Sequence, residues 1–110
     1  MPQLREQRCE ACTPDTPVLT PAEIEELRQE LDAEWFVVDG RTLRRVMHFA
    51  DFRSAFARAS QIADLAEEEG HHPDLHIGWG RLDVDLTTHT VHGLTRNDFI
   101  LAAKIDALER

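Results

Sequence analysis

The sequence is poor in basic residues: 12 lysines and arginines stand against 21 aspartates and glutamates, a net charge of −9 over 110 residues. A surface of that sign repels phosphate backbones, so direct nucleic-acid binding is not expected as a main activity. No apolar run approaches the ~20 residues that a membrane-spanning helix needs. The opening MPQLREQRCE is polar and lacks the apolar centre of a signal peptide, which points to the cytoplasm. Cysteine is scarce as well. Cys9 and Cys12 form one Cys-x-x-Cys pair, two of the four ligands of a structural zinc site, with no second pair to complete it. The pair lies in a polar stretch away from any βαβ pattern, so both are read as reduced surface thiols with no assigned role. No His-Glu-x-x-His element occurs.

What remains is the composition of one small globular domain. A hydrophobic fraction of 42% is ordinary for a folded chain, and the length allows one modest core. Residues 1–19 carry Pro2, Pro14 and Pro17 and little periodicity, and read as a flexible leader before a single domain over 20–110. Thr20-Pro21-Ala22-Glu23 is a capping box with proline at the first helical position, opening a helix expected to reach about Asp32. Trp35–Val38 and Leu43–Phe49 read as strands joined at Asp39-Gly40. In the second strand Leu43, Met47 and Phe49 share a face that Arg45 interrupts.

Asp51 caps a long helix in which Phe52, Ala55, Phe56, Ala59, Ile62, Ala63 and Ala66 predict one buried stripe, and Gly70 ends it. Leu75–Gly78 and the alternating Leu82, Val84 and Leu86 predict a second hairpin, turning at Gly78-Trp79-Gly80, where Trp79 is expected to pack. A last helix starts at Thr95. The order helix-hairpin-helix-hairpin-helix predicts an α+β fold: a four-stranded antiparallel sheet with three helices on one face. The last helix, apolar at Phe99, Ile100, Leu101, Ala102, Ala103, Ile105, Ala107 and Leu108, has few polar positions left. On a monomer it would expose an adhesive patch, so a homodimer or homotetramer is expected.

Five of the six histidines fall between positions 71 and 92: His71, His72, His76, His89 and His92. Imidazole both donates and accepts protons near neutral pH. His71 and His72 are adjacent, between Gly70 and Pro73, and proline holds His72 in an extended conformation. His72 and His76 have the spacing of helical zinc ligands, but in a strand that spacing is ~13 Å, which argues against a shared metal.

Glu67-x-x-x-His71-His72-Pro73, then Trp79, His89 and Asp98 at intervals of five, nine and eight residues, resembles the signature of the pterin-4a-carbinolamine dehydratases. Thr87-Thr88-His89 and Gly93-Leu94-Thr95 are similar to the segment around the family's third histidine, and the likeness runs from about Thr20 to the C-terminus. The resemblance implies a hydro-lyase that eliminates water from 4a-hydroxytetrahydropterin, giving quinonoid dihydropterin in tetrahydrobiopterin recycling, with no metal or organic cofactor. The carbinolamine would come from an aromatic amino-acid hydroxylase. His71 and His89 would be the acid–base groups, and His72 would bind the pterin and assist.

Glu67 would support His71 and bind substrate, or be a solvated member of the run Glu67–Glu69. Asp98 would bind substrate or cap the last helix, and Thr87 and Thr88 would bind substrate or extend the strand. The alternative function is a non-catalytic module on the same fold, a regulator or assembly factor for another protein. Such relatives tend to lose active-site histidines, and all three are present here.

Overall fold

The structure is a computed structural model and describes residues 3–108. The chain runs α1 (Pro21–Arg28), β1 (Phe36–Val38), β2 (Thr42–His48), α2 (Phe52–Glu69), β3 (Asp74–Gly78), β4 (Arg81–Leu86) and α3 (Arg96–Ala107), with 3-10 turns at Leu4–Glu6 and His89–Val91. The fold is α+β, one antiparallel sheet in the order β1-β2-β4-β3. Two hairpins meet along β2 and β4, where Leu43 faces Leu86 and Met47 faces Leu82. The crossing between the hairpins is made by α2.

Burial alternates along β2 and β4. Leu43, Arg45, Met47, Leu82, Val84 and Leu86 point into the core, while Arg44, Asp83 and Asp85 occupy the partly open opposite face. This is the period-two pattern of a sheet covered on one side. On the open face, Arg44 grips Asp85 with two hydrogen bonds of 2.6 and 2.8 Å. Arg45, the apparent break in the apolar face, is 7% exposed and pairs with Asp106 of α3 at 2.6 Å. Asp106 also accepts the Trp35 indole N–H at 2.8 Å and the Asp32 amide at 2.9 Å. Burial pushes the Asp106 carboxyl above its ordinary value, against these three donors. The buried Arg45 charge is met by the Asp106 carboxylate, which is what makes its burial tolerable.

Three expectations need correction. The helix opened by the Thr20–Glu23 capping box stops at Arg28 rather than near Asp32, although Leu31 stays buried in the turns that follow. In α2 the buried stripe is Ala55, Ala59, Ile62 and Ala66; Phe52 and Phe56 lie on its flank, about half exposed. Small alanines let α2 lie close to the sheet, and this leaves no room beneath it for the phenylalanines.

The third correction links the leader to the last helix. Residues 3–19 are not a loose leader: Leu4 is 2% exposed within the core cluster, and Cys9 and Leu19 pack against it. The covered surface belongs largely to α3, whose Phe99, Ile100, Leu101, Ala102 and Ile105 are all buried within the single chain. The apolar circumference of α3 is therefore accounted for by its own chain, and it gives no ground for a subunit interface. Sequence periodicity missed this because a single leucine on a 3-10 turn has no period to detect.

Candidate active site

Gly70 ends α2 in the left-handed conformation, φ 68°, which an L side chain resists. The turn takes His71 out of the helical path, and His71 reaches across to α3, 27 residues on. Its Nε2 lies 2.6 Å from Asp98 Oδ1. Asp98 is fully buried, the third residue of α3, and its other oxygen accepts the Thr88 hydroxyl at 2.8 Å and the Thr95 amide N–H at 2.9 Å. Three donors thus converge on one enclosed carboxylate. With Oδ2 taken by Thr88 and Thr95, Oδ1 receives the His71 Nε2–H, which leaves Nδ1 of a neutral ring as the free acceptor. The His71 side chain is 10% exposed.

The other two motif histidines are open to solvent, and each also meets a carboxylate. His72 Nε2 is hydrogen-bonded to Glu67, one turn back on α2. The expectation that Glu67 serves His71 is thereby corrected: the turn at Gly70 carries His71 to α3 and lays His72 over the end of α2. His89 Nε2 is 3.7 Å from Asp74 Oδ2, both side chains being mostly exposed. Asp74 is two residues from His72, so this contact brings His89 beside the His71–Pro73 loop. His71, His72 and His89 therefore gather around the start of β3, each with its own carboxylate.

The remaining candidates divide. Thr88 is buried and sits under the site, sharing a 2.9 Å hydroxyl contact with Thr95 and donating to Asp98. Thr87 donates to the Arg41 carbonyl at 2.6 Å and ties β4 to the first hairpin. Trp79 does not pack at its turn but stands 76% exposed. Asp74 was missed in the sequence, because its role comes from a contact across the hairpin and no motif position announces it. Two surface cavities, of about 670 and 320 Å³, are lined by residues other than these histidines.

A family model described as pterin 4 alpha carbinolamine dehydratase matches residues 17–108. A protein of Rubrobacter xylanophilus, provisionally named a pterin-4-alpha-carbinolamine dehydratase, is 43% identical over 108 residues, covering 98% of this chain and all of the relative. A similarly named protein of Rickettsia bellii is 45% identical over 106 residues, 96% of this chain and 94% of its own. The crystal structure of a transcriptional coactivator/pterin dehydratase from Brucella melitensis superimposes with a TM-score of 0.77 at 39% identity, over 84% of this chain and 98% of that one. A pterin dehydratase-like RuBisCO assembly factor of the alpha-carboxysome is more distant, with a TM-score of 0.58 at 26% identity over 68% of this chain and 88% of that one. With a match over most of its length and close relatives that it covers end to end, this chain belongs to the pterin 4 alpha carbinolamine dehydratase family.

Proposed function

We propose that the protein dehydrates 4a-hydroxytetrahydropterin to quinonoid dihydropterin and water, in the cytoplasm and without a cofactor. The observation that carries this reading is the His71–Asp98 pair, a proton-transfer group held at 2.6 Å by a fully buried carboxylate. Hydroxide is a poor leaving group, so a proton must reach the 4a-oxygen as the C4a–O bond breaks. A pterin ring nitrogen gives up its proton as the new double bond forms, and the two transfers together release one water. His71 and His89 exchange these protons, each transfer contributing typically ~10²–10⁴ in rate.

Asp98 and Thr88 act beneath His71, fixing which ring nitrogen is free, and are not proposed to touch the substrate. His72, steadied by Glu67, binds the pterin. An aromatic amino-acid hydroxylase is the proposed source of the carbinolamine. We further propose assembly as a homodimer or homotetramer, now supported by the exposed Phe52, Phe56 and Trp79 rather than by α3.

The second reading, an assembly factor without catalysis, has its support in the alpha-carboxysome relative. A binding module has no need of a buried His–Asp pair with three donors on one carboxylate, and this favours the enzyme. The test is carbinolamine decay measured with wild type and with His71→Ala. Acceleration by the wild type that the variant loses supports catalysis. Equal rates for wild type, variant and buffer would leave the binding module.

A further inference from the structure

The N-terminal segment holds both elements that meet at His71 and Asp98, and it holds each within two residues of the pair. Cys9 N–H donates to Glu69 Oε1 at 2.9 Å, two positions before His71. The Glu69 side chain is only 3% exposed and also receives Lys104 Nζ at 3.5 Å. On the other side stands Asn97, directly before Asp98 and 7% exposed. Its amide binds the main chain of Glu10 at both ends: Oδ1 accepts the Glu10 N–H at 3.0 Å, and Nδ2 donates to the Glu10 carbonyl at 2.6 Å. Nδ2 also meets Cys12 Sγ at 3.2 Å, and the Cys9 thiol lies 3.6 Å from the Asn97 carbonyl oxygen. Burial, and after it the Glu69 carboxylate, pushes the Cys9 thiol up to about 12, so it stays protonated and able to donate. Leu4, in the core, anchors the segment upstream.

These hydrogen bonds do not involve a histidine side chain. Their effect is on placement: Glu69 fixes the end of α2 from which His71 departs, and Asn97 fixes the first turn of α3 that carries Asp98. We propose that Asn97 and the main chain of Cys9 and Glu10 form a positioning clamp that sets His71 against Asp98. The consequence for turnover rests on the dehydratase reading above; the clamp itself does not. A displacement of ~1 Å at a reacting group costs up to ~10²-fold in rate, so a clamp on these two elements is of direct consequence.

The test uses the full-length protein and the Nε2–H proton resonance of His71, which reports its bond to Asp98 without any substrate. Asn97→Ala removes both bonds to Glu10, Glu10→Pro removes the single N–H, and Glu10→Ala leaves the main chain intact. In the first two variants the resonance is expected to shift or be lost to exchange, and kcat to fall about 10- to 100-fold with KM changed by less than about two-fold. Glu10→Ala is expected to match wild type in both. A folded Asn97→Ala protein with the wild-type resonance would overturn the clamp, whatever its kcat. Should that variant not fold, Glu10→Pro decides by the same two outcomes. Because the resonance needs no turnover, the clamp stands or falls separately from the reaction.

Discussion

Asp98 Oδ1 lies 2.6 Å from His71 Nε2 and joins the end of α2 to the first turn of α3 at a point closed to solvent. One carboxylate does two jobs here. It accepts the Thr95 amide as part of the helix cap and holds the imidazole with its other oxygen. The helix cap and the hold on His71 are served by opposite oxygens of the same side chain.

Asp98→Asn is the sharpest probe of that double use. The amide keeps the shape, but one end becomes a donor and either faces Thr88 and Thr95 or forces His71 into the other tautomer. The expected loss is ~10²–10⁴ in kcat with the protein still folded. Asp98→Ala leaves the Thr95 amide without its side-chain acceptor, costing ~1–3 kcal/mol, and is expected to lower the urea midpoint as well. Wild-type turnover in Asp98→Asn would remove Asp98 from the mechanism.

A truncated leucine tests the N-terminal segment as part of the core. Leu4→Ala is expected to destabilise by ~2–5 kcal/mol, the range for buried leucines, whereas Val18→Ala, at an exposed position, stays within ~0.5 kcal/mol. Urea denaturation measures both. Equal, near-zero effects would mean that residues 3–19 do not contribute to the fold.

The strands, the capping boxes and the motif histidines were legible because each has a local signal: alternation in Leu82, Val84 and Leu86, the Thr20–Glu23 spacing, the His71-His72-Pro73 run. What was not legible depends on distance in the chain. Arg45 looks like an error in an apolar face until Asp106 arrives from 61 residues away. Leu4 has no period, and the covering of α3 by a leader that looked flexible follows from packing alone. The transfer of Glu67 from His71 to His72 comes from the left-handed turn at Gly70, which spacing counted along a helix does not anticipate.

Acid should loosen the N-terminal segment before it melts the domain. Burial opposes ionisation of Glu69, yet the Cys9 N–H and the Lys104 and Arg8 charges hold its carboxyl below the ordinary 4.5. A depressed folded value means that this carboxylate stabilises the fold fully above about pH 4.5. The contribution disappears as pH falls through the lower folded value. Amide exchange at Cys9, followed while pH is lowered from 6, is expected to keep its protection down to about pH 4.5 and to lose it as pH falls through the lower folded value. In Glu69→Gln the dependence is expected to vanish, and an unchanged acid profile in that variant would assign the effect to another group.

Assembly is tested on α2 rather than on α3. With Phe52 and Phe56 about half exposed on one flank, Phe56→Glu is expected to shift the protein toward monomer in light scattering. The variant should also lose the rise of Tm with protein concentration expected of an oligomer. A wild type that is monomeric at micromolar concentration, with Tm independent of dilution, would contradict the proposed oligomer and leave the histidine site untouched.

Cofactor-free dehydration by His71 is tested most directly by the rate of 4a-carbinolamine decay in the presence of chelator, comparing wild type, His71→Ala and buffer. The wild type is expected to accelerate decay undiminished by chelator, and His71→Ala to lose ~10²–10⁴ of that acceleration. Wild-type decay equal to buffer, or activity abolished by chelator and restored by zinc, would contradict cofactor-free dehydration by His71.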